Sequence, residues 1–213
     1  MKSFLVIAAL VIFQFADAQK TIELEPFKRI TIGSDIKLDL VKSNDDKLVF
    51  NSEETFEIEY NNDDNLVLNG EGNATLYYKN DIESITLGSD AILTCKDEIN
   101  GKNLQLTAGA DSKATLSVNL QELQVTAGSD AKVVINGKAI RMSATIGSDA
   151  DYNSEKLNVE DVTINIGSDG KGTITATGML TTAVGSDGYL KVYGKPKKVS
   201  QIKDSNAKII IVK

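Results

Sequence analysis

The amino-acid sequence predicts an all-β protein, a parallel β-helix built from stacked repeats. A Gly-Ser-Asp tripeptide, once varied to Gly-Ala-Asp, recurs along the chain, and from Gly88 onward its copies are almost evenly spaced. Apolar and polar residues alternate on both sides of each tripeptide, whereas helical spacing fits no useful length. A period of about 19 residues, with a turn in each unit, is typical of a solenoid. The tripeptides begin at Gly33, Gly88, Gly109, Gly128, Gly147, Gly167 and Gly185.

Residues 1–18 are predicted to be a signal peptide rather than part of the fold. Lys2 supplies a positive start, the run from Phe4 to Phe15 is mostly apolar, and Ala16-Asp17-Ala18 fits a small-residue cleavage site. The apolar run is too short to span a bilayer. We therefore expect an exported chain whose mature domain covers residues 19–213 and which resides in the periplasm, on the outer cell surface or outside the cell.

The composition excludes some classes of binding partner and shows that disulfide bonds within the chain do not contribute to stability. The formal net charge of the chain is −7, with no histidine and one cysteine. An acidic chain without an evident basic cluster argues against nucleic acid and against anionic membrane surfaces as partners. Because Cys95 is the only cysteine, no intrachain disulfide can form. Packing and backbone pairing must therefore hold the fold together.

The N-terminal part is predicted to be a capping strand followed by degenerate repeats. Ile22 and Leu24 alternate with polar residues before Pro26, which predicts a short capping strand. The gap from Gly33 to Gly88 is close to three periods, and the same alternation runs through 48–60 and 66–78. With a last copy around Asp204-Ser205-Asn206, the pattern predicts about ten rungs of 18–21 residues in a single domain.

Each clear repeat predicts two short strands with one face inward. Stacked units would pair their strands in parallel, because each unit leaves its backbone groups free until the next lies on it. The inward residues are small or β-branched, as a narrow core requires. Around Gly128 they are Leu123, Val125, Ala127, Ala131, Val133 and Ile135.

The Gly-Ser-Asp corner has two interpretations. In the first, which we favour, glycine supplies a positive φ at the bend while serine and aspartate bond neighbouring amides. In the second, stacked carboxylates about 5 Å apart repel by roughly 1 kcal/mol per pair and attract cations such as Ca²⁺. We therefore assign no metal or cofactor site and keep the cation ladder as a hypothesis. Its members would be Asp90, Asp111, Asp130, Asp149, Asp169 and Asp187, with Asp35 before them.

The sequence contains no evident catalytic group. Without histidine, a pair of carboxylates is the main option for catalysis. The most prominent aspartates belong to a repeated turn, whereas an active site normally departs from the repeat. Cys95 alternates inward with Leu93, which indicates a buried and inert thiol. The pairs Tyr77/Tyr78 and Tyr189/Tyr193 could stack on sugars, although core and end packing is the simpler use. We expect no catalytic residues.

Two stretches carry a family resemblance. Phe27-Lys28-Arg29-Ile30 at the first unit and the ending Gly185-Ser186-Asp187-Gly188-Tyr189-Leu190-Lys191-Val192-Tyr193-Gly194-Lys195-Pro196 resemble the bacterial head GIN domain family of secreted putative adhesins. The resemblance covers roughly residues 20–213. It implies a right-handed, pectin-lyase-like β-helix without recognised catalytic residues. Aspartate at the corner departs from the Gly-Ser-Gly usual in that family and makes the corner more acidic.

Three functions remain open from the sequence. The first is adhesion, in which a non-catalytic protein presents a long repetitive face to surface glycans or cell-envelope proteins. The second is a polysaccharide-acting enzyme or a carbohydrate-binding protein. The third is a structural envelope protein without a ligand. Carboxylates that converge in a cleft would favour the enzyme, whereas a flat and uniform face would favour adhesion or a structural role.

Overall fold

The computed structural model describes residues 19–61 and 64–212. The predicted signal peptide, residues 1–18, lies outside this range. The described chain forms sixteen strands, and it contains no helix that could span a membrane. The strands in the N-terminal half are β1 (Gln19–Glu23), β2 (Arg29–Ile32), β3 (Ile36–Lys42), β4 (Lys47–Asn51), β5 (Thr55–Asn61), β6 (Asn65–Tyr78), β7 (Ser84–Leu87) and β8 (Ile92–Ala108). Those that follow are β9 (Lys113–Ala127), β10 (Lys132–Ile146), β11 (Asp151–Ile166), β12 (Lys171–Ala176), β13 (Met179–Val184), β14 (Tyr189–Tyr193), β15 (Lys198–Lys203) and β16 (Lys208–Ile211).

From β7 onward the chain is a stack of parallel coils. Lys132 pairs with Lys113 in the coil before it and with Asp151 in the coil after it, so each repeat lies directly on its neighbour. The predicted all-β solenoid is confirmed, and it has about seven turns. The Asp204-Ser205-Asn206 turn closes the last coil as expected, between β15 and β16.

Two surfaces run along this stack, one on each side of the corner tripeptides. The pre-corner face consists of the segments that lead into each corner: 29–32, 84–87, 103–108, 122–127, 141–146, 161–166, 179–184 and 198–203. The post-corner face consists of the segments that leave it: 36–42, 92–95, 113–116, 132–135, 151–154, 171–174, 189–193 and 208–211.

The N-terminal part differs from the prediction of about ten rungs. Strands β2 and β3 pair directly with β7 and β8, so the coil of Gly33 is adjacent to the coil of Gly88. The coil formed by β6 stacks on the opposite side of β2 and β3, out of chain order. Strands β4 and β5 pair with β6 antiparallel and make no rung. An alternating pattern is common to a coil and to a hairpin, which is why period alone overcounts the rungs.

Strands β4 and β5, both paired antiparallel with β6, close the N-terminal end of the stack. The predicted capping strand is confirmed: β1 pairs antiparallel with β4 as the outermost strand. The rings of Phe50 and Phe56 meet edge to face with centroids 4.9 Å apart, which seals the end of the core. The cap therefore covers the side of the first coil on which no further coil stacks.

The core is a set of stacked columns, each of which repeats one inward position from coil to coil. Next to the corners the column is small, with Ala91, Ala131 and Ala150 fully buried. Ser112 occupies the same column, and its Oγ donates to the Gly109 carbonyl at 2.7 Å. Deeper in, Tyr152 is completely buried beside Gly172 of the following coil. A narrow interior fills in this way only when bulky and small residues are matched between coils.

Candidate functional site

In each Gly-Ser-Asp corner, the residue with the left-handed backbone conformation is the aspartate and not the glycine. Aspartates 35, 90, 111, 130, 149, 169 and 187 all have a φ of 58° to 62°, and Asn206 repeats it with 60°. The corner glycines have no positive φ, so the expectation that they supply it is wrong. Ala131 donates to the Gly128 carbonyl across the four-residue turn, as in a type II turn with its third residue left-handed. Aspartate tolerates this region better than most side chains do.

Close packing explains the corner glycines. A Cβ on Gly147 would lie 2.8 Å from the carbonyl carbon of Gly128 in the preceding coil. A Cβ on Gly109 would lie 2.7 Å from the Leu87 oxygen. The backbones approach this closely because each corner bonds to its neighbours: the Gly147 amide donates to Ala127 at 2.8 Å. Glycine is therefore required by the spacing between coils.

The seven aspartates form one exposed row along the corner edge. The amide of Asp130 donates to the Ser148 carbonyl of the next coil at 3.1 Å, and the other corners repeat this bond. Among residues 19–61 and 64–212, no three His, Cys, Asp or Glu side chains come together to hold a metal ion. The left-handed backbone and the main-chain bonds give the row a structural role, whereas the expected bonds from the serine and aspartate side chains to neighbouring amides are not seen in the described residues. The cation ladder stays a hypothesis.

A long concave surface lies elsewhere, along the pre-corner face. It is an open groove of about 980 Å³ that crosses six coils, from Arg29 to Thr163, and reaches Met179 in a seventh. At a spacing of about 4.8 Å per coil, six coils give a length of roughly 24 Å. Its central column presents one polar side chain per coil: Ser84, Gln105, Gln124, Ser143 and Thr163. We call this surface the axial groove.

A second column of the axial groove is charged. Glu122, Arg141 and Asp161 occupy the same position in three successive coils. The Arg141 guanidinium donates to Glu122 Oε1 from Nε at 3.0 Å and also from Nη2. This hydrogen bond, together with the charge of Glu122, raises the pKa of the exposed Arg141 guanidinium. The column therefore presents a fixed cation between two carboxylates.

The carboxylates of the groove are engaged in structural contacts. Asp161 Oδ1 accepts a hydrogen bond from the Met179 amide at 2.8 Å, which ties the groove to the next coil. At the other end, Lys28 Nζ lies 3.3 Å from Glu83 Oε1. Glu122 is paired with Arg141. Each of these three carboxylates therefore has a hydrogen-bond or ion-pair partner in the fold.

The axial groove was not predicted from the sequence, although a signal for it was present. The chain has only two arginines, Arg29 and Arg141, and both line the groove. Glu122 and Arg141 are one repeat apart in the sequence, and opposite charges at the repeat interval indicate a stacked ion pair. By contrast, Cys95 is buried as predicted. Tyr78 is also buried, which excludes it from a sugar-stacking surface.

These features define a β-solenoid protein with an acidic corner edge and a polar axial groove. The family model described as "putative auto-transporter adhesin, head GIN domain" matches residues 26–196. The chain belongs to this family, and its adhesin-like role follows at that level. A comparison with curated protein sequences gives no significant match.

Solved structures share the fold at low sequence identity. A putative adhesin from Bacteroides fragilis superposes with a TM-score of 0.82 and 16% identity, covering 92% of this chain and 96% of that one. A putative lipid binding protein from Parabacteroides distasonis gives 0.67 and 13% over the same shares. A putative adhesin from the same organism gives 0.64 and 16%, again over 92% and 96%. These similarities establish the β-solenoid architecture.

Proposed function

We propose that this chain is an exported, non-catalytic adhesin whose axial groove binds an extended polysaccharide of the cell surface. The observation that carries the proposal is the groove itself, which repeats a polar side chain at every coil. A polymer with a regular repeat can contact such a ladder many times, so weak single contacts add up. The signal-like sequence of residues 1–18 and the adhesin family support export.

The chemistry of the groove favours sugar hydroxyls over apolar ligands. Amide and hydroxyl side chains such as Gln105, Gln124 and Ser143 can both donate and accept hydrogen bonds. The Glu122–Arg141 pair adds charged groups on the same side. One structural neighbour is described as lipid binding. The axial groove also has apolar lining residues such as Leu104, Leu123 and Val162, but it is open along its length and so does not enclose an acyl chain.

The decisive experiment is a binding screen against linear polysaccharides, read by thermal shift and by direct titration. The variant Glu122→Gln/Arg141→Gln removes the ion pair while leaving the net charge unchanged. We expect it to weaken polysaccharide binding by about tenfold or more, because hydrogen bonds to charged groups are stronger than those between neutral groups. The matched control, Lys132→Gln/Asp151→Gln, removes an opposite-charge pair of adjacent coils on the post-corner face and should bind like the parent.

Two results would count against the proposal. The first is that no polysaccharide raises the melting temperature of the parent. The second is that the groove variant and the control variant bind equally well, in which case the axial groove is not the ligand site. The enzymatic alternative has its own readout, because hydrolysis releases new reducing ends from a bound polysaccharide. We expect none to accumulate.

A further inference from the structure

The two ends of the solenoid are built differently. At the N-terminal end β4 and β5, both paired with β6, cover the core. At the C-terminal end β15 pairs only with β13, and β16 only with β14, so both strands leave an outer edge unpaired within the described residues. Free strand edges are templates for pairing with another chain.

The C-terminal end also exposes most of the large apolar side chains found on the surface of the described residues. Ile202 is the most exposed of them, at 71%. Such a concentration at one place marks an interaction surface. Five of the six exposed large hydrophobic residues lie in the last two coils: Met179, Val199, Ile202, Ile210 and Ile211.

The same end is basic, although the chain as a whole is acidic. Residues 195–212 hold five lysines and one acidic residue, Asp204, whereas the full chain has a net charge of −7. We call this surface the basic end. Its five lysines fall in one short stretch of the chain, which forms the last coil and the loop that leads into it. They are Lys195, Lys197, Lys198, Lys203 and Lys208.

The opposite end carries the complementary charge. Within 43–61 and 64–72, the loops and strands of the cap hold eight acidic residues and a single basic one, Lys47. We call this surface the acidic cap. Glu57 and Glu59 are exposed on β5, whose outer edge has no described partner strand. The acidic residues are Asp45, Asp46, Glu53, Glu54, Glu57, Glu59, Asp64 and Glu71.

The free edges of the two ends lie in line. Through successive pairings, β15 belongs to the pre-corner face, and β5 covers the same face at the other end by pairing with residues 65–71 of β6. A second copy translated along the axis would bring its β5 against β15. From these observations we propose that the chain associates head to tail, with the basic end of one copy docked on the acidic cap of the next.

Charge selects this arrangement over a symmetric dimer. Two basic ends placed together would oppose lysines to lysines, and two caps would oppose carboxylates to carboxylates, which costs free energy. A head-to-tail contact is heterologous, so it can propagate into a filament. In such a filament the axial grooves of successive copies would follow one another on the same face. The inference stands independently of the ligand proposed for the groove.

The contact should be reversible rather than a continuation of the core. In the last coil the inward positions that follow Val199 hold Gln201 and Lys203, which pair with the buried Thr182 and Val184. A charged residue at an inward position is a recognised device against uncontrolled strand addition. Charge attraction supplies much of the affinity, and salt screens it.

Sedimentation velocity of the chain from Gln19 onward, over a range of concentrations at low and high salt, tests the inference. We expect association at low salt, and an apparent Kd raised at least about tenfold by screening in high salt. The variants Lys198→Glu/Lys203→Glu and Glu57→Lys/Glu59→Lys should each fail to self-associate. An equimolar mixture of the two should associate again, because every basic surface then finds an acidic one.

The controls separate this contact from others. Lys113→Glu/Lys132→Glu makes the same charge change on the post-corner face and should associate like the parent. Melting curves for all variants confirm that they are folded. A parent that stays monomeric at all concentrations and both salt levels overturns the inference. Self-association that survives the Glu57→Lys/Glu59→Lys change also overturns it, since the acidic cap is then not the partner.

Discussion

The hydroxyl of Tyr152 lies 3.0 Å from the sulfur of Met142 and donates a hydrogen bond to it in the middle of the stack. Tyr152 is fully buried, and Met142 lines the axial groove. A thioether is a weak acceptor, so the bond mainly spares the hydroxyl from being buried without a partner. The aromatic ring, by contrast, is completely buried in the core, in register with Gly172 of the next coil.

Substitutions at Tyr152 should therefore distinguish the contribution of its ring to stability from that of its hydroxyl. We expect Tyr152→Phe to change the free energy of unfolding by less than about 1 kcal/mol, since both partners of a weak bond lose little. Tyr152→Ala should cost about 3–5 kcal/mol through the cavity it leaves. Urea denaturation measures both. A loss for Tyr152→Phe as large as that for Tyr152→Ala would show that the hydroxyl dominates.

The corner offers a contrasting pair of substitutions within one tripeptide. Gly147→Ala should destabilise by about 1–3 kcal/mol, because its Cβ would meet the backbone of Gly128 at 2.8 Å. Asp149→Gly should be neutral or stabilise by up to about 1 kcal/mol, because glycine adopts a φ of 58° without strain. Thermal melting ranks the two. If Asp149→Gly destabilises the protein more than Gly147→Ala does, then the residue with positive φ limits the corner sequence more than the contact between coils does.

Neutralising the aspartate row tests the cation ladder. The triple variant Asp130→Asn/Asp149→Asn/Asp169→Asn keeps a residue that tolerates left-handed backbone and removes three neighbouring charges. We expect it to melt higher than the parent at low salt, because repulsion along the row is relieved. Calcium should raise the parent melting temperature no more than sodium chloride of equal ionic strength. A calcium-specific rise that the triple variant lacks would instead establish ion binding.

Stability should fall at alkaline pH. Burial raises the pKa of Cys95 to about 11 and raises the pKa values of Tyr78 and Tyr152 above their ordinary value of 10. In the unfolded chain these groups ionise first, so the stability they contribute is complete below the unfolded pKa and is lost as pH rises toward the folded one. We expect the free energy of unfolding to decline from about pH 9 upward. Tyr152→Phe should flatten that decline, and an unchanged slope would exclude Tyr152 as a contributor.

The buried thiol should be chemically silent. Cys95 is 2% exposed, and its raised pKa keeps it protonated at neutral pH. The thiolate is the reactive species, so a maleimide reagent at pH 8 should label the native chain very slowly and the urea-unfolded chain quickly. Rapid labelling of the native chain at that pH would reveal local opening of β8.

Much of the fold follows from periodicity, because stacking repeats one environment at one interval. Gly128 and Gly147 occupy equivalent corners for this reason, and the inward residues around them are those predicted. The prediction breaks down where the chain stops repeating. Alternation across Leu48 to Tyr60 fits a coil or a hairpin equally well, and only pairing partners distinguish the two.

The site was harder to predict than the fold. Which residue of Gly-Ser-Asp takes the positive φ depends on how close the neighbouring backbone lies, and the sequence of one repeat does not contain that distance. The axial groove joins residues from seven coils, none of which departs from the repeat. Only the one-repeat interval between Glu122 and Arg141 could have pointed to it.

The register between coils has a consequence for how such a protein changes in length over evolution. Lys113, Lys132 and Asp151 hold equivalent places, so deleting or duplicating one whole repeat between them joins backbone positions that already correspond. The two termini of the rod would remain intact while the middle grew or shrank by whole layers. Deleting or duplicating a repeat would not preserve the pairing in the first third of the chain. There β6 stacks on the outer side of β2 and β3, so the order of the coils in the stack differs from their order in the sequence.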